Sequence, residues 1–342
     1  MAYTTINKPK EHFNTVTYTG NTSAGHAITG VGFQPDLTWN KSRANATPHY
    51  LFDVIRGATN FIKSDSTSAE SQNTDTLTSF DSDGFTLGNA TGNNGSGSFA
   101  SWNWKANGTG VANTDGSISS TVSASATSGF SIVSYTATGS TATIGHGLGA
   151  IPKMMIIKNT TSNSTWAVYH ASLGTGKFLR LQGTDAVGTE ANWFDTTPTS
   201  SVFTVGSNLP SGATIAYCFA DVQGYSKVGG SYTGNGNADG TFVYTGFKPS
   251  FVMIKKTDSA GNFWHIYDNK RSSSGGSNVI NDVLYPNRSD AEYSEDRIDF
   301  VSNGIKFRSG NGDINSSGGN YIYMAFASAP LVGTNNVPCT AR

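Results

Sequence analysis

The sequence predicts an all-β chain of three tandem antiparallel β-sandwich units, jelly-roll-like in type. The first observation behind this is an internal repeat with fixed spacing. Tyr18, Tyr135 and Tyr232 each open a Tyr-Thr pair, and seventeen residues after each comes a proline: Pro35, Pro152 and Pro249. Six residues further on stands a lysine: Lys41, Lys158 and Lys255. The second observation is the period of the apolar residues. Stretches such as 130–135, 154–157, 251–254 and 321–326 are short, alternating or wholly apolar, and rich in β-branched and aromatic side chains, as strands require. The third is punctuation: Gly, Asn, Ser and Asp cluster between them, at 93–97, 273–277 and 309–319, where tight turns need positive φ.

The shared elements follow in one order. A Gly-containing turn precedes each proline (Gly32-Phe33-Gln34, Gly149-Ala150-Ile151, Gly246-Phe247-Lys248), and the lysine closes DLTWNK, KMMIIK and SFVMIK. An aromatic or histidine comes next (His49, Trp166, Trp264), then Leu51-Phe52-Asp53, Val168-Tyr169-His170 and Ile266-Tyr267-Asp268. A Phe-x-x-Gly element recurs as FTLG (85–88), FTVG (203–206) and FRSG (307–310). FASWNWKA, TIAYCFAD and YIYMAFAS close the units. The predicted organisation is an arm (1–12), unit 1 (13–107), a Gly/Ser/Thr-rich linker (108–127), unit 2 (128–221), unit 3 (225–328) and a tail (329–342). Ile118 and Val122 could add an edge strand within the linker, and the short junction at 222–224 packs units 2 and 3 together.

Composition excludes several function classes. Lys plus Arg is 22 and Asp plus Glu is 23, so the net charge is −1, with no broad field for nucleic acid or anionic lipid. Apolar runs stay well short of a membrane-spanning helix, and MAYTTINKPK has no apolar signal core. Two cysteines, Cys218 and Cys339, make no disulfide framework or four-ligand zinc site. These features point to synthesis in a reducing cytosol, with no cofactor, metal, nucleic acid or membrane insertion.

Candidate chemistry is sparse. Six histidines are scattered without a metal-binding pair; His49 and His170 fall near matching places where unit 3 has Trp264 or Asp268, a swap no catalytic role survives. Gly145-His-Gly-Leu-Gly149 leads into a strand, so it reads as a turn and not a phosphate loop. Phe80-Asp-Ser-Asp-Gly84 lacks the later ligands of a calcium loop and reads as a turn. Asp290, Glu292, Glu295 and Asp296 read as a solvated charged loop, and no GxSxG elbow exists. Six tryptophans and 14 tyrosines among polar loops suggest sugar-binding platforms, while core packing accounts for most of the tryptophans, Trp39, Trp102 and Trp104 sitting on strand faces. Trp193, in a variable loop, is the leading candidate, with Trp166 and Trp264 beside it. The lysines 41, 158 and 255 read as strand-end caps with their stems on apolar surface.

The runs TVTYTGN, GVGFQPDLTWNKSR, HYLFDVIRGATNFIKSD, SFDSDGFTLG and SFASWNWKANG together resemble a repeat of tailed-bacteriophage structural proteins, particularly of marine and cyanobacterial phages. GHGLGAIPKMMIIKN with WAVYH, and GYSKVGGSYTGNG with GFKPSFVMIKK, resemble its second and third copies. The resemblance covers nearly the whole chain and carries no catalytic residues. It implies a non-enzymatic virion component, present in multiple copies and assembled in the host cytoplasm with other tail or capsid proteins. Surface attachment at the tail, with host polysaccharide as a partner, is the first expectation. A capsid decoration protein is the second and a glycan depolymerase the third. Copy number alone raises one more: three units about a pseudo-threefold axis, so that one chain fills a trimer's position. The arm would then order on a partner.

Overall fold

The computed structural model describes residues 3–190, 193–272 and 278–333, with Asn335 and Val337. Each unit starts its central strand from the same device. Gly32, Gly149 and Gly246, three residues before the shared prolines, have φ of +88°, +68° and +83°, a region that side chains with a Cβ avoid. The chain turns there and enters a lysine strand: Leu37–Ser42, Met154–Asn159 or Phe247–Lys256. In unit 3 the proline falls inside the strand, and the register slips on both sides of Pro249, because proline lacks the N–H a ladder needs.

The lysine strand sits between the closing strand and the aromatic strand in all three units. The sheet order is opening, closing, lysine, aromatic. In unit 1 these are Phe13–Gly20, Gly97–Trp104, Leu37–Ser42 and Tyr50–Asp53. In unit 2 they are Phe130–Ala137, Gly212–Phe219, Met154–Asn159 and Ala167–His170. In unit 3 they are Ser226–Thr233, Asn320–Pro330, Phe247–Lys256 and Trp264–Asp268. A smaller antiparallel sheet covers one face of each. It pairs His26–Thr29 with Gly84–Leu87, Ala142–Gly145 with Val202–Val205, and Phe242–Tyr244 with Gly304–Phe307. Side chains alternate across the strands, so each unit buries a sandwich core of its own. Phe52, Phe85 and Leu87 lie in the first, Met155, Ile157 and Phe203 in the second, and Val252, Ile254 and Ile305 in the third.

The opposite faces of the three main sheets are largely withdrawn from solvent, with exposure at the far ends of the opening strands (Thr17, Thr19, Thr136). They meet one another. Trp39, Trp102 and Trp104, with Ile156, Tyr217 and Phe219, and with Met253, Met324 and Phe326, form one buried cluster shared by all units. Leu37, Met154 and Phe251 hold the same register, and the closing-strand residues opposite them are Trp104, Phe219 and Phe326. Those three rings touch pairwise, with centroids 6.3, 6.2 and 5.8 Å apart. Three equivalent residues in mutual contact mark a pseudo-threefold axis. The space left beside them is about 10 Å³, at the lower limit of what one water needs, so the axis is packed and is no channel.

Other expectations change. The segment expected as a linker is drawn into the sheet of unit 2. Ser120–Ser125 pairs with the opening strand, and Val111–Asn113 pairs with Ser120–Ser125 in turn. The arm orders on its own chain: Ile6 is buried in the shared cluster, and the Tyr3 hydroxyl donates to the Gly246 carbonyl at 2.9 Å. The FRSG motif is out of frame, since Ile28, Ile144 and Val243 oppose Phe85, Phe203 and Ile305. Gly304-Ile305 therefore matches Gly84-Phe85, two residues earlier than the motif suggests.

Candidate functional site

Most residues singled out by the sequence are buried at the seams between units. His49 and His170 occupy different repeat positions, correcting their apparent match. His170 pairs with Met154 as Asp53 pairs with Leu37 and Asp268 with Phe251. His49 stands at the place of Trp166 and Trp264, one residue before Tyr50, Ala167 and His265. The two tryptophans point across seams: Trp166 Nε1 donates to the Lys63 carbonyl of unit 1 (2.9 Å), and Trp264 Nε1 to the Arg180 carbonyl of unit 2 (3.0 Å). Lys63 and Arg180 hold equivalent places, opposite Tyr50 and Ala167. His49 accepts from Trp39 Nε1 at its Nδ1 (2.9 Å), which leaves the proton on Nε2, and Ser64 Oγ of unit 1 donates to the Pro286 carbonyl of unit 3 (2.6 Å). Unit 2 thus leans on unit 1, unit 1 on unit 3, and unit 3 on unit 2.

A second ring follows the same direction. Asp53 Oδ2 accepts from Arg56 Nε (2.6 Å) and from the Tyr217 hydroxyl of unit 2 (2.8 Å). Asp268 Oδ2 accepts from Arg271 Nε (2.5 Å) and from Trp102 Nε1 of unit 1 (2.8 Å). Tyr217 and Trp102 are equivalent, and the third such residue is Met324. Met324 offers no donor. At that seam the acid is replaced by His170 and the arginine position, three residues on, by Leu173. His170 Nδ1 accepts from Ser172 N, and its Nε2 faces the Tyr323 carbonyl at 3.4 Å. The substitutions are matched: a buried carboxylate needs donors, and where the neighbour supplies none the fold uses a neutral ring.

Burial lowers the His170 pKa to about 4, against smaller raising effects of the Tyr323 carbonyl and Asp221. A base whose folded pKa is depressed binds its proton first in the unfolded chain, so stability is full above about pH 6.5 and falls from there toward pH 4. The loss from this residue alone is about 3 kcal/mol. His265, lowered to about 3, and His49, lowered well below its usual range, both by burial, add in the same direction. Urea midpoints at pH 7 and pH 5 check this: His170→Gln is expected to shrink the difference between them.

The three lysines are fully buried and cap carbonyls at or just beyond their strand ends. Lys41 Nζ donates to Ser42 O (2.7 Å), Lys255 Nζ to Asn262 O (2.8 Å), and Lys158 Nζ to Asn159 O and, across the seam, to Thr67 O. Burial lowers all three to about 8. Pro35, Pro152 and Pro249 are buried beside the turns they follow.

No sugar platform survives among the named tryptophans. Trp166 and Trp264 are enclosed in the shared core. Trp193 is 7% exposed, its ring stacked on Phe178 at 4.7 Å. Of the charged loop, Glu292 is drawn into a seam, where it pairs with Arg43 and Arg271; Asp290 pairs with Arg288 and Glu295 with Arg297. The Asp296 side chain, residues 273–277 and Cys339 lie outside the described residues. Cys218 is buried and its thiol pushed up to about 12 by that burial. Asp81 and Gly84 close a hairpin, and Asp83 accepts from Gly30 N and Gly32 N, as a turn and not a calcium loop.

The residues that do face solvent with aromatic surface lie in unit 3. Phe242 and Tyr244 alternate outward on one strand, 46% and 56% exposed. Tyr3 meets them from the arm, its hydroxyl pushed up to about 12 by burial and by Tyr244. Both hydroxyls converge over Gly246: a Cβ there would lie 2.9 Å from Tyr3 Oη and 3.6 Å from Tyr244 Oη. Beside Tyr3 and Tyr244 opens a groove of about 450 Å³ that they line together with Asp221, Gln223, Ser226, Lys227 and Thr245. Asp221 is spoken for, accepting from Val228 N, Gly229 N and Lys227 Nζ. Sequence reasoning passed over this row because tryptophan drew attention first and the out-of-frame FRSG hid the comparison between units.

Fold and seams define the class: a single chain of three β-sandwiches closed about an axis, with matched substitutions at each seam. The chain belongs to a family known by its domain of unknown function, DUF7483, whose model matches residues 8–330. That one model runs through all three units, in keeping with their common core. No match is found among curated proteins or among solved structures.

Proposed function

We propose that the protein is a non-enzymatic structural component of a tailed-phage virion, exposed on the particle and associated with the tail at its fibre, spike or baseplate periphery. The observation that supports it best is the closed ring of three unequal units. A body of this kind offers a threefold-symmetric neighbour three related contacts from one chain, while the loops of each unit remain free to differ. The buried residues named above explain the ring: they satisfy one another across seams and leave the surface to carry function. The resemblance of the repeat to phage structural proteins points the same way.

Immunogold labelling of intact particles, with antibody raised against the purified chain, tests this reading. Gold at the tail tip or fibres is the expected result. Gold spread over the head makes the protein a capsid decoration, and particles without gold overturn a virion role.

A further inference from the structure

We propose that Tyr244 and Tyr3, with the groove they border, and Phe242, two residues from Tyr244 on the same strand face, form a saccharide-binding site. The repeat supplies an internal control. The positions of Phe242 and Tyr244, by register across the small sheet, are held by Ala27 and Thr29 in unit 1 and by Thr143 and Gly145 in unit 2. The same fold is built twice without aromatic residues there, so the sandwich does not need them. Exposed rings gain nothing from the core and carry a solvation cost that small or polar residues avoid. Gly304 and its counterpart Gly84 are glycine in both units because a Cβ would strike the facing backbone, at the Val243 and Ile28 carbonyls, so the aromatic pair is an addition of unit 3 to a shared backbone.

The chemistry of the row selects its ligand. Ring faces take the C–H faces of pyranose rings, and tyrosine hydroxyls take their hydroxyl groups. Gln223, exposed at the groove, offers an amide donor and acceptor for sugar hydroxyls, which a purely apolar partner would leave unpaired.

The site deepens the attachment reading by naming its ligand class, yet its test is independent of where the protein sits on the particle. The purified chain is applied to immobilised bacterial O-chain and capsular polysaccharides, beside Phe242→Ala, Tyr244→Ala and the unit 1 control Thr29→Ala. Binding by the parent chain is expected, with a loss of at least tenfold in each aromatic variant and none in the control, at unchanged melting temperature. Tyr3→Phe keeps the ring and is expected to fall between them. No binding to any of the polysaccharides, or binding indifferent to both aromatic substitutions, overturns the proposal. So does normal sugar binding with failed incorporation into particles, which would make the row a contact to another virion protein. Gold on the tail together with such a failure would leave the attachment reading standing without this site.

Discussion

Arg271→Ala is expected to destabilise the protein by about 3–5 kcal/mol, the range for breaking a buried ion pair from one side. Arg271 is fully enclosed and holds Asp268 through Nε, Glu292 through Nη1 at 2.5 Å, and the Ile266 carbonyl through Nη2 at 2.9 Å. Its guanidinium lies 5.4 Å from the Trp102 ring centre, so the substitution also strips packing from the unit 1 face of the seam. Two carboxylates would remain in low dielectric, Glu292 held by Arg43 and Asp268 by the Trp102 N–H and the backbone N–H groups of residues 270 and 271, with no cation on Asp268. Unit 2 shows what an uncharged seam looks like. Asp268→His with Arg271→Leu copies His170 and Leu173, removes the unpaired acid, and is expected to recover at least half of the loss. Guanidinium chloride midpoints of the parent and both variants decide the matter. A cost below about 1 kcal/mol for Arg271→Ala, typical of exposed pairs, would mean the seam is hydrated in solution.

The second large effect lies on the axis. Trp104→Ala removes the ring that touches both Phe219 and Phe326, and truncations of this size in a core cost about 3–5 kcal/mol. Trp104→Phe is expected to cost far less. The Trp104 Nε1 has no hydrogen-bond partner, and phenylalanine is the residue at the two equivalent places, so the substitution trades some volume for relief of an orphaned donor. Their unfolding midpoints should rank parent and Trp104→Phe close together, with Trp104→Ala well below. Equal losses for both variants would show that the axis needs the indole itself and that a ring of phenylalanine's size cannot replace it.

Much of the fold could be read from spacing. The Tyr–Pro–Lys intervals located three lysine strands, and the Gly-containing turns before each proline proved to hold the positive φ such turns need. The axis could be inferred from copy number but not located, and the reason is physical. Leu37–Ser42 and Met154–Asn159 are buried at every residue, because one face meets the small sheet and the other meets the neighbouring units. Burial on both faces removes the alternation that separates inside from outside, which is why Trp166 and Trp264 passed as surface candidates. The linker misled through composition: Ser, Thr and Gly serve an edge strand such as Ser120–Ser125 as readily as a flexible connector. The candidate site was hidden differently. Phe242 and Tyr244 become conspicuous only beside Ala27, Thr29, Thr143 and Gly145, and that comparison needs the register of the small sheets.

The shared core and the closed seams require the three units to behave as one body, and scanning calorimetry of the purified chain measures this most directly. A shared core and closed seams predict a single transition whose calorimetric and van't Hoff enthalpies agree, about 240 kcal/mol at ~0.7 kcal/mol per residue. Trp104→Ala should move that transition as a whole. Three separable transitions, with Trp104→Ala shifting one and sparing the others, would contradict the account and return the chain to three independent sandwiches on a string.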